Sequence, residues 1–394
     1  MSNPQIVIFG PDNYNSLGML RSLAGRGYDI LMLLKGRRSG VASASKYCKD
    51  CKFVESEQEG VQYLIDTFPV CDSHIEKPVL MPGGDSYSLI GARNYAELNK
   101  RFHLMCTSDP DVLIRVTDKN EMGKEAVRAG LLVPESQNYV SGCTNITVPF
   151  PAILKHVTVN GRTEFKTKIV KTQKELEKFN KMLNPENVYI LQQYIHKSHD
   201  IYVYGCRLPN GKVVLAGYNT QLRWSDDGGG SFGHLYPDIP DYLQRDALEK
   251  FLAAVDYHGL FSAEYGFHDG KAYFYEVNFR NDGFTHLSYQ AGANLPLLWV
   301  ESCLNKPLTA SPVMTKDLVS VNEVYDISNV MHGNISYRRY KQDLQSAKAF
   351  IYYDPEDPQP YKNLMRRRIF DVPLRAFVKA FRLQIVWLLS KIGC

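Results

Sequence analysis

Apolar runs and amphipathic stretches alternate through the first hundred residues. Gln5–Gly10 is a short apolar run closed by glycine, Leu17, Leu20 and Leu23 recur at helical spacing, and Ile30–Leu34 is a second apolar run. Nearly continuous apolar strands separated by a helix predict the start of a parallel α/β sheet. Val79–Met81 predicts another buried strand, ending in the turn Pro82, Gly83, Gly84 and Asp85. Parallel sheets place ligands beyond the carboxyl ends of their strands. Asp12, Asn13 and Asp85 are therefore candidates for a substrate-facing rim, although turn chemistry alone also explains such residues. The first turn lacks a G-x-G-x-x-G pattern, so no dinucleotide is indicated.

Further along, Thr117, Asp118 and Lys119 open a helix with a capping residue and Glu121 in its first turn, ending at Gly130. Phe150–His156 and Lys166–Thr172 predict strands, Lys174–Leu183 a helix, and Val188–Ile195 a strand. β-type patterning then dominates through Ile201–Arg207, the Asn210–Gly211 turn and Val213–Asn219. Leu243–Val255 is an amphipathic helix, and Asp226–Gly233 reads as a glycine-rich mobile loop of the kind lids use. Repeats and low-complexity tracts are absent, and Pro307–Pro312 marks a boundary.

Phe261–Phe267 and Ala272–Asn278, joined through Asp269 and Gly270, form a strong hairpin signal. This pairing brings Glu264 within one residue of facing Glu276. Period-two alternation puts Glu276, Asn278 and Arg280 on one face, leaving Tyr273, Tyr275 and Val277 for the core. Like charges opposite each other destabilise a sheet. The pair makes sense around a hard divalent cation such as Mg²⁺, which takes carboxylates together with phosphate oxygens and water. Asn278 adds a neutral oxygen, and Arg280 can grip a phosphate or carboxylate with two hydrogen bonds.

Glu264 followed by Glu276, Asn278 and Arg280 resembles the metal and phosphate signature of the ATP-grasp superfamily. Thr117, Asp118 and Lys119 look like its lead-in helix, Phe150–Lys155 like its first strand, and Leu191–Ile195 like its hinge. Ser16–Tyr28 and the Pro82–Asp85 turn resemble the preceding domain of carboxylate–amine ligases, so the likeness covers about residues 5–306. The resemblance implies an N-terminal α/β parallel-sheet domain (1–117) before a two-lobed α+β ATP-grasp fold. The small lobe with its lead-in helix would span 118–190, the large lobe with the hairpin 191–306, and a C-terminal helical extension 307–394. It implies ATP and Mg²⁺ (or Mn²⁺) as cofactors. Glu264, Glu276 and Asn278 would hold the metal, and Lys119 and Lys155 the nucleotide. Gln192, Gln193 and Ile195 would line the adenine pocket, and Asp200 would reach the ribose. Arg280 would stabilise an acyl phosphate, with Arg223 assisting or binding the substrate carboxylate. The implied activity is ATP-dependent joining of a small-molecule carboxylate to an amine. Carboxylation, phosphoryl transfer or work on a lipid-linked intermediate are the alternatives. Two departures stand out: His156–Lys168 carries only Gly161 where a glycine-rich phosphate loop is usual, and Gln192 and Gln193 occupy the hinge where Glu is frequent.

Composition narrows the remaining classes. With 44% apolar and 12% aromatic residues the 394-residue chain is ordinary globular material of two to four domains. Its eight scattered cysteines read as cytosolic thiols, and Cys48 with Cys51 lacks the second pair of a zinc site. No signal peptide or spanning segment is predicted, which points to the cytoplasm. The net charge of +4 conceals an uneven distribution: residues 361–394 carry eight Lys or Arg and one Asp. That tail is +7, so the rest of the chain is −3. Arg375, Lys379 and Arg382 recur at helical spacing opposite Phe377, Phe381 and Leu388. A basic amphipathic helix over 366–394 either lies on an anionic membrane or docks on the body of the enzyme or a second copy, as in a homodimer. Nothing accompanies it that suggests nucleic acid.

Overall fold

The computed structural model describes residues 5–36, 40–72, 76–156, 165, 167–225 and 228–371. The first domain is built on a five-stranded parallel sheet. Its strands, in spatial order, are Asp50–Val54, Ile30–Lys35, Ile6–Pro11, Val79–Pro82 and His103–Leu104. The central strand Ile6–Pro11 pairs in parallel with a neighbour on each side, which explains its unbroken apolar run. The strand order reverses around it, so the loops after Pro11 and Pro82 open into one crevice. Gly10 and Gly83 approach so closely there that a Cβ on Gly10 would lie 2.9 Å from the Gly83 Cα.

The chain then passes through the helix Lys119–Ala129, capped by Asp118 and ended by Gly130 in the left-handed conformation, into a small lobe. This lobe is a four-stranded antiparallel sheet in the order Ser136–Tyr139, Tyr189–Gln193, Ala152–His156, Thr167–Val170. Tyr139, Leu154, Leu176 and Tyr189 form its core with the helix Gln173–Asn180. Most of the 156–168 segment, where a phosphate loop is expected, lies outside the described residues.

The large sheet runs Lys271–Asn278, Tyr257–His268, His199–Arg207, Val213–Trp224, Gly230–Tyr236, Leu318–Val321 and Ala349–Phe350. One apolar core joins its face to the helix Tyr14–Leu23 of the first domain. Two expectations change here. The glycines expected in a mobile loop enter a strand: Gly230 and Gly233 lie in Gly230–Tyr236, paired on both edges. Their lack of side chains serves close packing, since Gly233 lies against the Thr220 backbone and Gly229 against the Tyr325 ring. The segment after 307 is also not purely helical. Between and after its two strands it forms the helices Glu323–Met331, Tyr337–Ser346 and Gln359–Asp371. The basic stretch beyond 371 lies outside the described residues.

A buried ion pair locks this C-terminal segment to the first domain. Arg21 donates to Asp357 Oδ2 at 3.0 Å, to the Asp357 carbonyl at 2.8 Å and to the Tyr352 carbonyl at 3.0 Å. Asp357 also accepts from Ser45 Oγ and the Lys46 N–H. Both side chains are 1% exposed. Removing one member of such a pair strands the other charge in the core, a loss of about 3–5 kcal/mol. Asp357→Ala is therefore expected to lower the unfolding free energy from denaturant titration by that amount, and a value within about 0.5 kcal/mol of the parent would show the pair to be energetically neutral.

Candidate active site

The hairpin strands Tyr257–His268 and Lys271–Asn278 place Glu264 directly opposite Glu276 and Ser262 opposite Asn278. Sequence alternation misses one feature: a bulge after Glu264 pairs Tyr265 with Phe274 and leaves Tyr275 unmatched. Phe274, not Tyr273 or Tyr275, therefore enters the core beside Val277. Tyr275 is re-aimed over Gly266, where a side chain would collide with its ring.

Asn278 donates to Glu264 Oε1 at 2.8 Å, and its Oδ1 accepts from Arg280 Nη2 at 3.1 Å. Lys119, at the first position of its helix, makes an ion pair with Glu276. Burial, followed by the charges of Glu276 and Asp282, pushes Glu264 up to about 8, against the Asn278 hydrogen bond and Arg280. A pocket that holds a carboxyl protonated near neutrality is short of positive charge. Among the described residues no group of three or more His, Cys, Asp or Glu side chains could hold a metal. Two carboxylates and an amide make a smaller donor set, which suits a cation that completes its shell with phosphate and water.

Lys155 projects from Ala152–His156 and donates to Gln192 Oε1 at 2.8 Å. Burial, then Lys119, pull its ammonium down to about 8, while Glu276 opposes the shift. Lys155, Lys119 and Glu276 thus share one electrostatic neighbourhood. At the hinge the Gln193 N–H donates to the Glu135 carbonyl and the Ile195 carbonyl accepts from the Lys197 N–H. A cavity of about 280 Å³ opens beside it, with Gln193, Ile195, His268 and Tyr273 among its walls. Asp200 is buried and accepts from Lys197 Nζ at 2.5 and 2.7 Å and from Trp224 Nε1 at 2.9 Å. Lys197 lies over the Trp224 and Tyr275 rings.

Both arginines are engaged. Arg280 forms a two-pronged pair with Asp85 of the first domain and approaches Asp282 at 3.5 Å. Arg223 is clamped by Asp326 at 2.8 and 2.9 Å and by Asp343 at 2.8 Å, both from the C-terminal helices. Of the rim candidates, Asp85 alone reaches the hairpin group. Asp12 accepts from Gly40 N–H and from Ser43, and Asn13 caps its helix. Lys197, Trp224 and Asp282 were not identified from the sequence. Asp282 and Lys197 carried a usable signal, two residues beyond Arg280 and three before Asp200, whereas Trp224 depends on strand pairing to meet Asp200.

No protein-family model matches the sequence, and no curated protein matches it. Solved structures do. N5-carboxyaminoimidazole ribonucleotide synthetase from Thermus thermophilus superposes with a TM-score of 0.62 at 14% identity, over 80% of this chain and 83% of that one. N5-carboxyaminoimidazole synthetase from Staphylococcus aureus, complexed with ADP, gives 0.63 at 12% identity, over 86% of each chain. Rhizobium etli pyruvate carboxylase gives 0.61 at 13% identity over 80% of this chain, which spans only 32% of that larger protein. The superpositions cover the parallel-sheet domain, the small antiparallel lobe and the large sheet at 80% or more of this chain, and the fold of this chain is that of the ATP-grasp enzymes.

Proposed function

We propose that this protein is an ATP- and Mg²⁺-dependent ligase that activates a small-molecule carboxylate as an acyl phosphate and joins it to an amine. The observation that carries the proposal is the convergence of Glu264, Glu276, Asn278, Arg280 and Lys119 through one set of contacts on the hairpin face. The ADP bound to the Staphylococcus aureus structure supports a nucleotide as the second ligand. Gln192, Gln193 and Ile195 would receive the adenine, Asp200 the ribose, and Lys155 and Lys119 the phosphates. Glu264, Glu276 and Asn278 would hold Mg²⁺, with Mn²⁺ acceptable to the same donors. When bound, that cation supplies charge neutralisation for the phosphoryl group in transfer.

In the reaction a substrate carboxylate oxygen attacks the γ-phosphorus and ADP departs. The amine then attacks the acyl carbon, loses a proton, and inorganic phosphate leaves. Arg280 presents fixed N–H donors to the anionic intermediate, and preorganised donors of this kind supply a large share of catalysis. Arg223, held by Asp326 and Asp343, acts by fixing the wall of the site instead of gripping a carboxylate. A second reading takes bicarbonate as the carboxylate, which the names of the similar solved structures favour. Both readings share the acyl phosphate. No helix among the described residues is long and apolar enough to cross a membrane, and we place the enzyme in the cytoplasm. The basic 366–394 sequence is a candidate for membrane or homodimer contact.

The deciding experiment is Mg²⁺-dependent phosphate release from ATP, screened against pooled amino acids, dipeptides, hydroxy acids and bicarbonate. Release is expected to need a specific carboxylate and amine. Glu276→Gln is expected to lower kcat by about 10²-fold or more while changing nucleotide affinity little. A mutant that raises only KM would remove Glu276 from the chemistry, and absence of both release and nucleotide binding would overturn the proposal. Lys155 provides a pH test. Its depressed position means that the free protein begins to lose this charge near pH 8, so binding a phosphate there requires proton uptake above that pH. ADP affinity is expected to be level near pH 7 and to fall by up to about tenfold per unit above about 8. Lys155→Arg should flatten the profile, and an unchanged slope in that variant would assign the titration elsewhere.

A further inference from the structure

The outward edge of Arg280 is already filled by a carboxylate of the protein's own. Nε donates to Asp85 Oδ1 at 2.7 Å and Nη2 to Asp85 Oδ2 at 3.2 Å, the two-pronged geometry of a bound carboxylate. The other nitrogen is committed inward, with Nη1 on the Asn281 carbonyl and near Asp282. A ligand carboxylate seeking the same two donors must therefore take the place of Asp85.

The two acids around this arginine differ in character. Asp282 is 10% exposed and accepts from Ser262 Oγ at 3.0 Å, so it is a built-in counter-ion. Asp85 is 62% exposed and stands at the mouth of the crevice. Its backbone is fixed: the Gly83 N–H donates to the Phe9 carbonyl, Asn15 Nδ2 to the Gly83 carbonyl, and Ser88 Oγ to the Phe279 carbonyl. Only the side chain needs to turn, through two torsions, to release the guanidinium into a crevice and hydrate its own carboxylate. Exchanging one carboxylate for another leaves the local charge unchanged, whereas adding a ligand anion beside Asp85 would bring like charges together.

We infer that Asp85 is a carboxylate stand-in that occupies the substrate-anion subsite of Arg280 and yields it to an incoming anion that also makes contacts elsewhere in the crevice. An intramolecular occupant lowers the apparent affinity of every anion by the fraction of time the fork is open. Small anions held by the fork alone, such as inorganic phosphate, are then rejected. A carboxylate that also makes contacts elsewhere in the crevice still displaces Asp85. The occupant thus sets an affinity threshold, which an anion held by the fork alone fails and one with further contacts in the crevice clears. This inference rests on the proposed function for the meaning of the subsite, although the exchange at Arg280 is testable without turnover.

The probe is inorganic phosphate, titrated against the full chain with ADP present and followed by ³¹P line broadening. Asp85→Ala is expected to bind phosphate at least about tenfold more tightly than the parent. In the double variant Asp85→Ala with Arg280→Lys, which keeps the charge but loses the fork, the gain should disappear. Equal or weaker binding by Asp85→Ala would overturn the inference and make Asp85 a residue that merely positions Arg280. A gain that survives in the double variant would also overturn it, by tracing the effect to the general field. Melting curves of each variant confirm folding. ADP binding by the parent, measured separately, tests the functional proposal: its absence alongside a fork-dependent gain would sink that proposal and leave the exchange standing.

Discussion

Two carboxylates, Glu264 and Glu276, stand opposite each other on adjacent strands, and the surrounding residues are arranged around their repulsion. Burial first, and the facing charge of Glu276 second, push the Glu264 carboxyl upward, so the pair needs compensation from its neighbours. Lys119 takes the exposed side of Glu276, Asn278 donates to Glu264, and Arg280 anchors Asn278 from behind. Each compensation comes from a different place: a helix start, the same strand, and the chain just beyond it. The site consequently exists only when the lead-in helix, the hairpin and the first domain are all in position.

That requirement explains why so much of the structure braces the junction instead of the sheet itself. Asn281 donates to the Asn15 carbonyl and Ser88 to the Phe279 carbonyl, which stitches the exit of the hairpin to two loops of the first domain. Arg21 and Asp357 tie the C-terminal segment to the same domain. The helix Glu323–Met331 contributes Asp326 to Arg223, while Tyr325 packs on Gly229. The last described stretch is thus a wall of the crevice, and its strands extend the sheet that carries the hairpin.

The parts legible in the sequence were those set by local rules. The Asp269–Gly270 turn fixed the hairpin register, and alternation then put Glu276, Asn278 and Arg280 on one face. The Thr117–Lys119 run and Gly130 marked both ends of their helix, and the cap within that run is Asp118. Features that depend on distant partners were not legible. The bulge at Tyr275 answers to packing around Gly266 and Phe274, which no period reveals. Asp85 lies 195 residues from Arg280, and its side chain looks like ordinary turn chemistry until the two loops meet. Arg223 read as a free ligand because its acids, Asp326 and Asp343, lie more than a hundred residues downstream. The glycines of 229–233 illustrate the same ambiguity, since glycine serves mobility and close packing equally, and only the neighbours decide which.

The contrast between the two arginines shows how position converts the same chemistry into different work. Arg223 meets two buried carboxylates, 0% and 6% exposed, and its fork is filled from the interior of the fold. Withdrawing either acid would leave charge in a dry place, so that cluster is held together by the cost of breaking it. Arg280 has one counter-ion of this permanent kind, Asp282, and one that faces water, Asp85. A pair whose outer member can regain full hydration contributes little to stability, and an arrangement that contributes little to stability is free to change partners. The same two-pronged bond is therefore a brace at Arg223 and an exchangeable contact at Arg280, and the difference lies wholly in where the partner carboxylate goes when it lets go.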